Sequence, residues 1–335
     1  MKLFLSHAGL GEVRGGVEVY AQHLSKVFKS LEIVDYHSHK KELGDTLNPL
    51  LREPERAKKL GEFVKKNYPD ARIFSNGMFC WNLVGKNQIN ISHGTYAAFA
   101  ERAISPFSLD FYRLRYIYSH FEKIAAKNAS LVVVNSSSTS KNVKTFLGPD
   151  SKIIYPPVDF ENFRPIAFEK ARDKLGWKGV NVLFIGRAER AKGFDLIEKA
   201  ALKNSNINFK CILSRPYECR IKNIEIIPPV AHSNLPTFYS ACDVVLFPSR
   251  FEGFGLVLPE ALACNKKIVA LNTGIAGEIK DPNIFISEPT SWGIEKALME
   301  ALSKEPYNSR PAMQKIFSFE RFAKKWKEAD KLIDP

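Results

Sequence analysis

The stretch Val244-Val245-Leu246-Phe247-Pro248-Ser249-Arg250-Phe251-Glu252-Gly253-Phe254-Gly255-Leu256-Val257-Leu258-Pro259-Glu260-Ala261-Leu262-Ala263 reads as a strand, a turn and a helix in succession. Four consecutive apolar residues suit a strand buried on both faces, as in parallel sheets. Pro248 and Ser249 end it, since proline has no N–H to give a neighbouring strand. Gly253 and Gly255 permit a tight turn whose backbone amides can approach an anion, and the start of the helix that follows favours negative charge. Glu260 falls about five residues into that helix, about 7 Å along its axis. Its side chain leans back toward the N-terminus, so it could reach the ribose of a nucleotide whose phosphates sit on the helix start. Glu252 lies in the loop on the other side of those phosphates. Carboxylates so placed suit hydroxyl groups at the two ends of a sugar nucleotide. Glutamates are common on surfaces, but two around a glycine turn at a strand–helix junction are not.

Outward from this stretch, short apolar runs alternate with longer amphipathic ones, the pattern of parallel α/β sheets. Strands are expected at Lys2–Ser6, Glu32–Tyr36, Arg72–Ser75, Gln88–Ser92, Leu131–Val134 and Lys152–Tyr155. A second set falls at Asn181–Ile185, Phe209–Leu213, Ile224–Ile227, Val244–Phe247, Lys267–Ala270 and Ile284–Ile286. Helical patterns cover Val17–Ser30, Arg52–Lys66 and Leu109–Lys127 among others. Between the two sets, Pro156-Pro157 to Pro165 suits a linker, because residues before proline are pushed toward extended backbone. Two doubly wound domains follow, with ligand expected at the carboxyl ends of the strands.

The chain has 335 residues, 45% hydrophobic and 25% charged, enough for two ordinary domains with real cores. Its 49 lysines and arginines against 36 acids give a net charge of +13. Nucleic acid, an anionic membrane face or phosphorylated small molecules could each answer that charge. No nucleic-acid-reading motif occurs, and the aromatics sit in apolar runs, so phosphate and membrane remain. Cys80, Cys211, Cys219, Cys242 and Cys264 show no metal or redox spacing and read as reduced thiols. No apolar run approaches the ~18 residues of a membrane span, and the N-terminus reads as a first strand and not as a signal peptide.

The Glu252…Glu260 stretch resembles the E-x7-E motif of glycosyltransferase family 4, retaining enzymes of GT-B fold. The likeness extends over nearly the whole chain. Gly15-Gly16-Val17-Glu18 resembles the family's early glycine pair, Asn135-Ser136 its "NS" turn, and Tyr155-Pro156-Pro157-Val158-Asp159 its linker. Gly186-Arg187 with Lys192-Gly193 resembles the phosphate clamp. Thr273-Gly274 to Glu278 resembles a later glycine turn, with Ile275 and Gly277 standing for a glycine and a proline. Asn265 likewise stands where a glycine is usual.

The resemblance implies two Rossmann-like domains facing a central cleft. Residues 1–160 would form the acceptor-binding domain and 161–317 the nucleotide-sugar domain, with the 318–335 helix packing back on the first. It implies that Arg187 and Lys192 hold the departing diphosphate, Glu252 the donor sugar and Glu260 the ribose. Backbone at Gly253, Phe254, Gly255 and Leu256 would contact sugar and phosphate, and backbone near Ser214, Arg215 and Val230 the base. His93 would lie beside the reacting sugar, and Gly15 and Gly16 in an acceptor or diphosphate loop. No Asp-x-Asp occurs, in keeping with a family that uses basic residues where other transferases use a metal. No cofactor is implied beyond a GDP- or UDP-linked sugar as substrate. The Tyr-Pro-Pro-Val-Asp linker resembles that of some GDP-mannose users, which favours mannosyl transfer. A saccharide or lipid-linked saccharide would accept the sugar, in the cytoplasm or at the inner membrane face.

Two other readings stay open. Gly9-Leu10-Gly11-Glu12-Val13-Arg14-Gly15-Gly16 also resembles a dinucleotide fingerprint, with Asp35 as the ribose acid of an NAD(P)-dependent oxidoreductase. A catalytically silent nucleotide-sugar-binding scaffold is the other. His37-Ser38-His39 could present two metal ligands, but no third is in sight. The basic run Arg52, Arg56, Lys58, Lys59, Lys65 and Lys66 reads as a solvated helix face or as a contact for anionic lipid.

Overall fold

Among the described residues, two six-stranded sheets, all of whose pairings are parallel, organise the chain. The structure, a computed structural model, describes residues 1–7, 16–45, 48–79, 81–85 and 87–333. One compact unit comprises Met1–Pro157 with Phe319–Pro335, and the other Val158–Ser318.

In the first unit the strands are β1 (Lys2–Ser6), β2 (Leu31–Asp35), β3 (Arg72–Asn76), β4 (Gln88–Ser92), β5 (Leu131–Val134) and β6 (Lys152–Ile153). Their order is β2-β1-β3-β4-β5-β6. On one side, Leu3, Leu5 and Ile73 pack against Ala57, Leu60 and Val64 of the helix Arg52–Asn67. The other side is covered by Gly16–Val27 and by the last helix, Phe319–Lys331, which inserts Phe322 and Trp326. Trp326 is fully buried, and its indole N–H donates to Tyr20 Oη at 3.1 Å. Asp330 ties the same helix to β3 through Arg72 at 2.8 Å and to β1 through Lys2.

The second unit holds β7 (Val180–Gly186), β8 (Ile207–Leu213), β9 (Ile224–Ile227), β10 (Val244–Phe247), β11 (Lys267–Leu271) and β12 (Ile284–Ser287). Here the order is β12-β11-β10-β7-β8-β9. β10 and β11 are buried throughout; β10 is an unbroken apolar run, and the one charge on β11, Lys267 at its start, donates to Lys304 O at 2.6 Å. The sheet winds outward in both directions from β7 and β10, so the switch point lies between these two strands. In open α/β sheets a ligand binds outside the carboxyl ends there.

Asn265 adopts the left-handed conformation, φ 56°, and its side-chain oxygen accepts from Arg310 N at 3.0 Å. Asparagine tolerates this backbone better than other residues with a Cβ, which explains how it serves where a glycine is usual. The helical pattern read at Leu109–Lys127 is one continuous run, but Arg113–Tyr118 within it is a π-helical turn.

Candidate functional site

The carboxyl end of β7 delivers Gly186 and then Arg187, whose half-exposed side chain lies 3.4 Å from Glu189. A 3-10 turn, Arg190–Lys192, leads to Gly193 at φ +73°, which starts the helix Phe194–Lys203. A Cβ on Gly193 would stand 2.0 Å from the carbonyl oxygen of Pro248. The turn after β7 and the turn after β10 therefore touch backbone to backbone, which only glycine allows.

Side chains stitch the two turns together. Arg250 N donates to Ala191 O at 2.9 Å, and its guanidinium grips both oxygens of Asp195, at 2.6 and 2.8 Å, and Arg190 O at 2.7 Å. Burial pushes the Asp195 carboxyl up, but the hydrogen bonds and charge of Arg250 outweigh it and hold the group below its ordinary range. Beyond this clasp, Lys192 Nζ donates to Glu252 Oε1 at 2.6 Å, the two side chains being 24% and 11% exposed. Reading the sequence missed Asp195 and Arg250. An arginine directly after the Pro-Ser pair was the available signal, but its partner lies 55 residues away.

Glu252 is braced from below. Gly274, φ +54°, brings its Cα so close that a Cβ would lie 2.4 Å from Phe254 O and 2.9 Å from Glu252 Cβ. Ile275 N donates to Phe254 O at 2.8 Å, and Thr273 Oγ1 to Ser249 O at 2.9 Å. The departures from the family pattern fit this turn: Ile275 is fully buried, and a Cβ on Gly277 would strike Asn272. Phe254 is buried and meets Phe317 edge-on, while Gly255, φ +90°, leaves room for the Phe247 ring.

The helix after the turn is Val257–Ala263, so Glu260 sits one turn in, slightly closer to the start than expected. Its carboxylate is nearly buried, accepting from Tyr239 Oη at 3.0 Å and lying 2.8 Å from His232 Nε2. Burial, with the Glu260 charge adding, pushes the Tyr239 phenol well above its ordinary range, so it stays a proton donor to the carboxylate. Ser214 and Arg215 follow β8 at the same end of the sheet, exposed, with Ser214 N donating to Gly186 O at 3.1 Å. Val230 follows β9. Arg187, Lys192, Glu252, Glu260, Ser214, Arg215 and Val230 thus all lie at the carboxyl ends of β7 to β10.

His93 and Gly16 belong to the first unit, and Gly15 lies outside the described residues. His93 follows β4, edge-on to Tyr20 at 4.7 Å. Burial pushes it down to about 4, so it is a neutral imidazole at pH 7. Its buried Nε2 has no hydrogen-bond partner among the described residues. The dinucleotide-like loop Gly9–Gly15 lies outside the described residues, and the Asp35 carboxylate is engaged by Ser38 N (2.9 Å) and Oγ (2.6 Å). His37 lies 3.0 Å from His7 and His39 3.0 Å from Asp35 O. Among the described residues no group of three or more His, Cys, Asp or Glu could hold a metal. Nor is any described helix long and apolar enough to cross a membrane.

Glu122, also in the first unit, escaped the sequence reading. It is buried, accepts from Tyr96 N at 2.8 Å, and burial pushes it up to about 8 from an ordinary 4.5. Its folded form holds a proton that the unfolded chain has released, so stability is full below about pH 4.5 and falls as pH rises to about 8. Glu122→Gln is expected to remove that slope, so urea midpoints of the two proteins converge at low pH and diverge toward pH 8. Parallel midpoint curves would refute the assignment.

Residues 167–316 match the family described as "Glycosyl transferases group 1". D-inositol 3-phosphate glycosyltransferases of Mycobacterium tuberculosis and Mycobacterium bovis are 29% identical over 173 residues, 46% of this chain. The match spans 36% of those relatives' length. Sucrose-phosphate synthase from Thermosynechococcus elongatus superposes with a TM-score of 0.82 at 18% identity, covering 99% of this chain and 98% of that one. HepE of Anabaena, solved with UDP and glucose, gives 0.73 at 18% identity over 98% of each chain. This chain therefore has the GT-B fold, and the part of it that matches the glycosyl transferases group 1 model lies within its second unit.

Proposed function

We propose that this chain is a retaining glycosyltransferase that moves a hexosyl group from a nucleotide-diphosphate sugar to a saccharide or lipid-linked saccharide, without need of a metal. The observation that carries this reading is the Lys192–Glu252 pair, held at the switch point by the Gly193–Pro248 contact. A sugar diphosphate presents oxyanions beside hydroxyls, the two chemistries that an ammonium and a carboxylate recognise. Bound donor would replace the pair with diphosphate on Lys192 and Arg187 and sugar hydroxyls on Glu252. As the anomeric bond breaks, charge grows on the β-phosphate, and the bonds from Lys192 and Arg187 strengthen with it. The acceptor attacks the face the diphosphate leaves, giving that phosphate its proton, and the configuration is retained. Glu260 takes the ribose hydroxyls in place of His232. Backbone at Ser214, Arg215 and Val230 meets the base, and neutral His93 offers Nε2 to the sugar or acceptor.

The Tyr155–Asp159 linker favours GDP-mannose, while the HepE structure with UDP and glucose makes UDP-glucose its chief rival. The basic charge and reduced thiols support a cytoplasmic enzyme in peripheral contact with anionic membrane. Thermal shift with GDP-mannose, UDP-glucose, UDP-galactose, UDP-N-acetylglucosamine and NAD(P)H tests the reading. One nucleotide sugar at 100 times its dissociation constant should add about 2.7 kcal/mol. Its α-linked product should form at an unchanged rate in chelator. Stabilisation by NAD(P)H alone would hand the site to the oxidoreductase reading, and binding without transfer or donor hydrolysis to the scaffold.

A further inference from the structure

Four large side chains on one short stretch of the first unit stand out in solvent. Phe107 is 94% exposed and Leu109 84%, and Tyr112 and Tyr116 are more than half exposed. Ser108 caps the helical segment Leu109–Tyr112, which passes directly into the π-helical turn Arg113–Tyr118. Across that turn the Tyr112 and Tyr116 rings stack, 6.1 Å apart and 23° from parallel. The stretch already has its inward face: Leu114 and Tyr118 are buried in the core, with Phe111 and Ile117 packed against it. The apolar outward face is therefore surplus to folding.

Charge says what it meets. The exposed acids of the stretch are answered within it, Asp110 by Arg113 and Glu101 by Arg115, each at 2.7 Å. Arg102, Lys123 and Lys127, all exposed, then leave it positive, in a chain of net charge +13. We propose that this stretch is a membrane-docking surface: Phe107, Leu109, Tyr112 and Tyr116 enter the headgroup layer of an anionic bilayer while the flanking cations meet its phosphates. The proposal deepens the peripheral contact suggested above, rests on that reading and gives the contact an address. Tyrosine and phenylalanine rings favour that layer, and nearby lysine and arginine add attraction to anionic lipid.

The basic helix Arg52–Asn67 suits this task less. Arg56 is held by Glu53 and Asp45, and Lys59 by the carbonyls of Gly44 and Asp45. No large exposed apolar side chain falls on it. A second copy of the chain suits the aromatic stretch less than a bilayer does. At about 200 Å² per side chain, and exposed to the extents given, the four offer roughly 600 Å², short of the ~800 Å² per partner of a standard interface.

Co-sedimentation of the full chain with vesicles of phosphatidylcholine, with and without phosphatidylglycerol, tests this. The wild type should bind the anionic vesicles and release them as salt rises. Phe107→Ser/Leu109→Ser should bind about ten-fold more weakly or less, and Lys65→Gln/Lys66→Gln should bind as the wild type does. A wild type that ignores anionic vesicles, or a double variant that binds as well, overturns the proposal. So does light scattering that finds the wild type dimeric and the double variant monomeric. The donor-induced thermal shift should persist in the double variant, which shows that it is folded. A missing shift in the wild type would instead count against the donor site and leave the vesicle result standing.

Discussion

Lys192→Ala is expected to slow sugar transfer by about 10²- to 10³-fold, the scale on which removing one group that stabilises developing charge acts. The ammonium sits on the turn after β7 and reaches the loop after β10, where the leaving diphosphate is proposed to lie. The loss should appear mostly in kcat, since the bond it makes strengthens as the diphosphate departs. Folding should feel the change too. Glu252 is only 11% exposed, and without its partner it becomes a poorly solvated carboxylate. A destabilisation of about 1 kcal/mol follows. The double variant Lys192→Ala/Glu252→Gln should recover most of that stability and none of the activity. Wild-type turnover in Lys192→Ala would remove the lysine from the mechanism.

Gly193→Ala should be worse for the fold than the lysine change and comparably severe for activity. The left-handed backbone alone costs an alanine about 1 kcal/mol. The added carbon would also sit 2.0 Å from Pro248 O, a distance no packing tolerates, so the turn must move away from the loop after β10. That movement pulls Lys192 from Glu252 and loosens the Arg250–Asp195 clasp. A loss of about 3 kcal/mol in all, with transfer reduced about 100-fold or more, is the expected outcome. Gly176→Ala is the internal control, for Gly176 has φ +66° and nothing within 4 Å of an added Cβ. It should lose only the backbone strain and keep full activity. Equal destabilisation in the two variants would mean that the Pro248 contact carries no weight.

The parallel architecture was legible because a strand buried on both faces needs an unbroken apolar run, and the short valine-rich runs Val244–Phe247 and Leu131–Val134 supply one. Glu252 was legible because the glycines beside it mark a turn at a strand end, and Lys192 only because Gly186-Arg187 with Lys192-Gly193 resembles a phosphate clamp. The Arg250–Asp195 clasp was not. Arginine and aspartate are ordinary surface residues until the strand order sets β10 beside β7 and closes 55 residues of separation to 2.6 Å. The partners of Glu260 were hidden for the same reason, since His232 and Tyr239 arrive from another segment. In the run Leu109–Lys127 apolar residues point both ways, so periodicity carried no mark of the π turn or of which aromatics would remain outside.

The helix Phe319–Lys331 closes the first unit's core with Trp326 on Tyr20, and Tyr20 in turn meets His93. During synthesis this arrangement imposes an order. The second unit is one uninterrupted segment and can complete its core as soon as Ser318 clears the ribosome. The first unit is translated earlier yet must wait, its sheet missing a side-wall until those late residues emerge. Until then Leu24, Phe74 and the Tyr20 ring lack their indole cover. The nascent first unit is thus the part of the chain with most cause to meet a chaperone, and the last to set.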